Sequence, residues 1–181
     1  EEHFSVYYAG PSIYKNRTQH YLDQDLTKLI GLSALFIVIM YYFGFRSFRS
    51  VLLPFLVIVS GSIWSIGFMG LMGFNITVVT ISTVPLVLTL GSSYSIHLLN
   101  QYYRLAVPNS IDNEWIVDAS TKINKTIFMA SITTVIGFSS LLATTVQQTR
   151  EFGLSTSVGI LTCALFSMFF LPAVLSLMRS P

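Results

Sequence analysis

The chain has 181 residues, of which 52% are hydrophobic and only 10% are charged, and its formal net charge is +2. An ordinary globular domain carries roughly 25% charged residues, so this composition excludes a typical water-soluble domain and indicates a membrane protein. The single cysteine, Cys163, excludes an internal disulfide and provides no metal cluster.

The first 28 residues are more polar than the rest. Residues 1–17 alternate polar and apolar side chains and then reach Gly10 and Pro11, a pattern that predicts the last strand and exit loop of an extracytoplasmic domain. A lead-in helix is predicted from Thr18, entering the membrane near Leu29. Since the chain starts without Met or a signal sequence, we expect it to be part of a larger polypeptide.

Uncharged stretches predict the membrane segments. Asp, Glu, Lys and Arg are absent from 29–45, 51–103, 126–149 and 152–178. The second stretch would extend roughly 80 Å as one helix, more than twice the ~30 Å hydrocarbon core. It therefore holds two spans, with a turn at "MGFN" (72–75). The prediction is an all-α membrane protein, a five-helix transmembrane bundle with spans near 29–45, 51–72, 76–103, 126–147 and 152–178.

Pro85 falls inside the third predicted span. A proline there removes a backbone hydrogen bond and clashes with the preceding turn, so we expect a helix kink. Packing is the usual reason for such a kink, and a hinge beside a functional site is the alternative.

The loop before the fourth span contains a predicted helix of its own, at about 112–125. Trp115, Ile116, Ala119 and Ile123 share one face, which is typical of an amphipathic helix on the cytoplasmic membrane surface. The fourth span carries a stripe of small residues that favours close approach of another helix. They are Ala130, Thr133, Gly137, Ser140 and Thr144.

Basic residues predict the orientation. The loops at 45–50 and 104–125 and the C-terminal tail hold six Lys or Arg, whereas the opposite short loops hold only Arg150. By the positive-inside rule we expect the N-terminus to be extracytoplasmic and the C-terminus to be cytoplasmic. The expected location is the cytoplasmic (inner) membrane, as a multi-pass protein.

The polar stretch "GSSYSIH" (91–97) lies near the end of the third span. Ser93 is roughly 16 Å along a helix from Arg104, close to mid-membrane, and it shares a face with His97. Polar side chains at such depth commonly face a bundle interior or a water-filled pathway; alternatively, each serine bonds its own helix. All eight acidic residues lie outside the predicted spans, so only His97 could titrate at depth.

Six motifs along the chain together resemble the transmembrane half of the resistance-nodulation-division (RND) superfamily, in its MMPL-like, hopanoid-transporter-like and Patched-like branch. They are "YYAGPSIY" leading to "LDQDL", "FRSFRSVLLPFLVIVSGSIWSIGFMGLMGFNIT", "GSSYSIHLLNQYYR", "TIFMASITTVIGFSSLLATT", "REFGLSTSVGI" and "FFLPAVLSL". The resemblance implies two halves, each with one helix, a large porter domain and five further helices. Residues 1–28 would end a porter domain, and 29–181 would form the bundle.

The resemblance also implies transport of lipids or other hydrophobic molecules, driven in most members by protons at an Asp-Tyr pair. This chain departs from that pattern, because Ser93 stands where the aspartate is expected and Tyr94 keeps the tyrosine position. A serine hydroxyl cannot carry that proton, so coupling carboxylates would come from elsewhere. The candidate coupling-position residues are Ser93, Tyr94, His97, Thr133 and Thr134.

Three functions follow as hypotheses. The first is a transporter half whose partners are a second half, porter domains, a lipid substrate, membrane lipids and a periplasmic acceptor or accessory protein. The others are a lipid-sensing module similar to a sterol-sensing domain and a transport-inactive structural subunit. No enzyme activity is expected, since no nucleophile-base pair or metal-ligand spacing occurs, and no cofactor, metal or nucleic-acid partner is predicted.

Overall fold

The computed structural model describes residues 11–45, 48–105 and 114–177 of the chain. Within these ranges the regular secondary structure is all helical and there is no strand, which confirms the all-α class. The α-helices are α1 (Pro11–Phe45), α2 (Phe48–Met72), α3 (Thr83–Leu105), α4 (Glu114–Ser139), α5 (Gln147–Leu165) and α6 (Leu171–Leu177). A π-helical turn at Phe166–Phe170 joins α5 to α6, so the chain forms five long helical rods.

Four of these rods contain segments long and apolar enough to cross a membrane: Thr27–Gly44, Val51–Met72, Ser120–Ala143 and Gln147–Leu177. The third rod, α3, contains more polar residues and is not among them. It packs against α1, α2, α4 and α5 and thus lies in the middle of the bundle. The predicted five-helix bundle is confirmed, and α3 contacts each of the other four rods while one of its faces stays exposed.

Two turns lie at one end of the bundle, which we call the hairpin end: residues 73–79 between α2 and α3, and residues 144–146 between α4 and α5. The predicted turn at 72–75 is confirmed. Gly73 has a φ of 67°, a left-handed conformation that favours glycine. The Phe74 N–H donates to the Met69 carbonyl at 2.9 Å, and the Gly73 N–H donates to the Gly70 carbonyl at 3.2 Å. These two bonds form a Schellman motif that ends α2.

Helix α5 holds the bundle together, because it packs on α2, α3 and α4. Glycines allow these close approaches. A Cβ at Gly91 of α3 would lie 2.5 Å from Cys163 Sγ of α5, and a Cβ at Gly61 of α2 would clash with the same sulfur. A Cβ at Gly159 of α5 would likewise come too close to Val87 of α3 and Ser65 of α2.

Three sequence predictions change in the structure. Residues 11–17, predicted as an exit loop, are the first turns of α1; residues 1–10, with the predicted strand, lie outside the described part. The surface helix predicted at 112–125 is not separate, since α4 runs unbroken from Glu114 to Ser139; its residues 112 and 113 also lie outside the described part. No Pro or Gly lies between Pro11 and Gly31 in α1, and none lies between Glu114 and Gly137 in α4, so no residue of low helix propensity interrupts either extension.

The third change concerns the position of Pro85 in its helix. A short 3₁₀ turn occupies Thr80–Ser82, and α3 begins only at Thr83. Pro85 therefore lies in the first turn of α3, where backbone N–H groups have no intrahelical acceptor and a proline is tolerated. The mid-helix position predicted for Pro85 is wrong, and the physical basis for a kink there is removed.

Gly153→Ala tests the contact between α4 and α5. A Cβ at Gly153 would lie 2.5 Å from the Phe138 carbonyl oxygen and 2.9 Å from Leu141 Cβ, so the helices must separate. We expect a loss of about 1–3 kcal/mol in the free energy of unfolding, measured by circular dichroism in detergent. Gly137→Ala is the control, since nothing lies within 4 Å of its added Cβ. Equal stability of the two variants would contradict this packing.

Candidate functional site

A row of polar side chains runs along the exposed face of α3. Its members are three or four positions apart, so they lie on one side of the helix. We call this row the polar stripe, and it contains Thr89, Ser93, His97, Asn100 and Arg104, all exposed. The predicted shared face of Ser93 and His97 is present. It points out of the described bundle, however, and not into the interior that was expected for polar groups at this depth.

Tyr94 lies on a different side of α3 from Ser93. Its side chain is 6% exposed and faces the side chain of Thr134 on α4, whose hydroxyl donates to the Ala130 carbonyl of its own helix at 2.7 Å. The structure therefore brings together two of the predicted coupling-position residues, Tyr94 and Thr134. A single step along a helix turns a side chain by about 100°, and this rotation separates Tyr94 from Ser93.

The neighbouring serines of "GSSYSIH" tie α3 to other helices. Ser95 Oγ lies 3.1 Å from Ser167 Oγ in the π-helical turn. The Tyr41 hydroxyl of α1 donates to the Ser92 carbonyl at 2.8 Å. Ser92 Oγ donates to the Thr89 carbonyl at 2.7 Å within α3. The alternative that a serine bonds its own helix thus describes Ser92, whereas the Ser95 side chain bonds a residue outside α3.

The small-residue stripe of α4 is also unpartnered in the described chain. Ala130, Thr133, Gly137 and Ser140 are exposed. The Thr133 hydroxyl donates to the Ala130 carbonyl at 2.9 Å, so it bonds its own helix. The flat face that was predicted for contact with another helix therefore remains free for a helix beyond the described bundle.

A buried carboxylate lies at the hairpin end, at a position that the sequence analysis placed outside the spans. Glu151 is 6% exposed, and it belongs to α5, which starts at Gln147 and not near 152. Its Oε1 accepts a hydrogen bond from Gln147 Nε2 at 2.7 Å. A cavity of about 360 Å³ adjoins it. The available sequence signal was the i,i+4 pair Gln147 and Glu151 directly before an apolar run.

An apolar groove of about 380 Å³ lies between α1 and α3. Phe36, Ile37, Met40 and Ile96 line it, together with the hydroxyl residues Ser33 and Thr89 among others. The Ser33 hydroxyl donates to the Leu29 carbonyl at 2.6 Å, and the Thr89 hydroxyl to the Pro85 carbonyl at 2.8 Å. Since these hydroxyls bond their own helices, the groove presents a largely apolar surface.

Four apolar helical rods packed around a fifth that carries a polar stripe define a multi-pass membrane protein of the transporter-like class. The chain belongs to the MMPL family, whose family model matches residues 1–179, as the resemblance predicted. It is also similar to a Methanocaldococcus jannaschii protein described only as a membrane protein, with 28% identity over 153 residues. That match covers 84% of this chain and 39% of the relative, so the chain spans about two fifths of the relative's length.

Whether the facing side chains of Tyr94 and Thr134 interact can be measured by a double-mutant cycle of Tyr94→Phe and Thr134→Val. We expect a coupling free energy of about 0.5–1.5 kcal/mol, because side-chain hydrogen bonds between membrane helices are modest. The measurement is the unfolding free energy of the protein in detergent micelles. The same cycle on Tyr42→Phe and Thr134→Val is the control, since Tyr42 is exposed on α1. Full additivity at Tyr94 would show that the two side chains do not interact.

Proposed function

We propose that this chain is one half of an RND-type transporter that moves lipids or other hydrophobic molecules at the cytoplasmic membrane. The observation that carries the proposal is the polar stripe of α3. Five polar or charged side chains occupy one exposed face of the middle rod, whereas the other rods expose many large apolar side chains. Such a face requires a covering partner, since hydrocarbon offers no hydrogen bonds.

A second transmembrane half supplies that cover in this proposal. The polar stripe and the exposed small residues of α4 lie on neighbouring helices, because α3 packs against α4. Small residues permit close helix contact, and polar side chains supply hydrogen bonds across the interface. The M. jannaschii relative, with 39% of its length matched, has room for a second half and for porter domains.

Coupling to an ion gradient then depends on both halves. Ser93 occupies the central part of the polar stripe, where its hydroxyl can hydrogen-bond but cannot ionise. In the proposed transporter, carboxylates on the second half change charge, while Ser93 and His97 bond them across the interface. Tyr94 and Thr134 lie on the side of α3 that packs against α4, where they fix the position of α3 against α4 within this half.

The proposed topology follows the distribution of basic residues. The hairpin end faces the extracytoplasmic side, and residues 1–28, which include the first turns of α1, lead from a porter domain into the membrane there. The proposed partners are the second half, the porter domains, the hydrophobic substrate, surrounding membrane lipids and a periplasmic acceptor or accessory protein. The proposal includes no enzymatic step and no nucleic-acid contact.

Ser93→Ala in the full-length transporter tests the proposal. We expect the ion-gradient-driven export of a fluorescent phospholipid analogue from proteoliposomes to fall about five- to tenfold, because one hydrogen bond to a charged group is lost. Ser60→Ala on α2 is the matched control: this half-buried serine only bonds the Leu56 carbonyl of its own helix, at 2.8 Å. Unchanged transport in Ser93→Ala would favour a structural or sensing role.

The groove between α1 and α3 favours one alternative, a lipid-sensing module similar to a sterol-sensing domain. Its apolar walls and volume of about 380 Å³ suit part of a lipid chain. In that case the purified full-length protein would retain lipid, and Ile37→Trp, which fills the groove, would displace it. Lipid retention without any gradient-dependent transport would select the sensing module over the transporter.

A further inference from the structure

The carboxylate of Glu151 has little compensation for its charge. Of the two acidic side chains that the structure describes, Asp25 is exposed and Glu151 is 6% exposed. An ionised carboxylate offers about four lone-pair sites. Among the described residues, the only group hydrogen-bonded to the Glu151 side chain is the neutral amide of Gln147. A buried anion with one neutral donor is costly unless a cation joins it.

The cavity beside Glu151 is lined with oxygen-bearing neutral side chains. We call it the Glu151 cavity, and it has a volume of about 360 Å³. Asn75 and Thr77 come from the turn between α2 and α3, and they face Gln147 and Gln148 at the start of α5. Carboxylate, amide and hydroxyl oxygens are the ligands that hard cations prefer.

Arg150, the residue before Glu151, does not line the Glu151 cavity. Both residues line a second cavity, of about 250 Å³, together with Phe74, Gln147 and Leu154. Within the described residues no ion pair joins Arg150 to Glu151. The lining of the Glu151 cavity itself therefore contains no basic side chain that balances the charge of Glu151.

We propose that the Glu151 cavity binds a monovalent metal cation of the sodium type at the hairpin end, with Glu151 as its charged ligand. One carboxylate balances one positive charge. The described residues contain no group of three His, Cys, Asp or Glu side chains placed to hold an ion together, so a divalent ion would keep an excess charge. Asn75, Thr77 and Gln147 supply the neutral oxygens.

Cation binding would connect two parts of the hairpin end. The Glu151 carbonyl accepts a hydrogen bond from Ser155 Oγ at 2.8 Å, and the Ser155 carbonyl accepts one from Ser65 Oγ of α2 at 2.7 Å. The first of these bonds lies within α5 and the second joins α2 to α5, so an ion held between Glu151 and the turn at Asn75 would add a second connection between α5 and the end of α2. This inference is independent of the proposed transport activity, because binding is measured without a gradient.

Thermal unfolding of the full-length protein in detergent tests the inference. Sodium chloride replaces choline chloride at constant ionic strength, and the midpoint of the rise in Tm gives the apparent affinity for sodium. We expect a saturable rise for the wild type. In Glu151→Gln the apparent affinity falls at least about tenfold, since the charged ligand is lost while an amide oxygen can still accept from Gln147. Asp25→Asn removes an exposed carboxylate and keeps the wild-type response.

Asn75→Ala provides a second variant that does not alter the buried carboxylate. Asn75 is exposed and its side chain only lines the cavity, so the variant folds and its apparent sodium affinity falls severalfold. A wild-type Tm that is the same in sodium and choline overturns the proposal, as does an undiminished sodium response in Glu151→Gln or Asn75→Ala. A Tm that responds to pH and not to sodium also overturns it, because the carboxylate would then bind a proton.

Discussion

Close approach of α5 to α2, α3 and α4 is the constraint on which the rest of this structure depends. Between helices in a membrane there is no hydrophobic driving force of the kind found in water, so contact must come from close packing and hydrogen bonds. Gly61, Gly91, Gly153 and Gly159 leave no room for a side chain at these contacts. Cys163 fills the space that Gly61 and Gly91 leave open, which makes it a packing residue.

This packing decides which side of α3 is free. Three residues of α3 point into the bundle. Gly91 packs against α5, Ser95 bonds the π-helical turn that follows α5, and Leu99 is buried. Tyr94 is turned toward α4. The remaining direction is the exposed face, where the polar stripe lies. The residues with the chemistry suited to coupling are thus displayed at a surface that another polypeptide can complete.

Charge is distributed unusually in this chain. Ser93 stands at the position where the family resemblance implies an aspartate, and a different carboxylate, Glu151, is buried at the hairpin end. The two residues belong to different helices and have different proposed roles. Ser93 is proposed to contact the second transmembrane half, whereas Glu151 is proposed to bind a cation beside the turn between α2 and α3. A cation at Glu151 would stabilise the hairpin end whether or not the protein is a transporter.

The sequence by itself determined the membrane class, the helical bundle, the turn at Gly73 and the family, because uncharged runs, turn residues and local motifs act over short distances. Only the tertiary structure decided that Ser93 and Tyr94 face different directions, that the small stripe of α4 is exposed, and that Glu151 is buried. Helix starts moved by several residues, which changed the setting of Pro85 and Glu151. The physical reason is that burial depends on the rotation of each helix against its neighbours, and contacts between distant residues set that rotation.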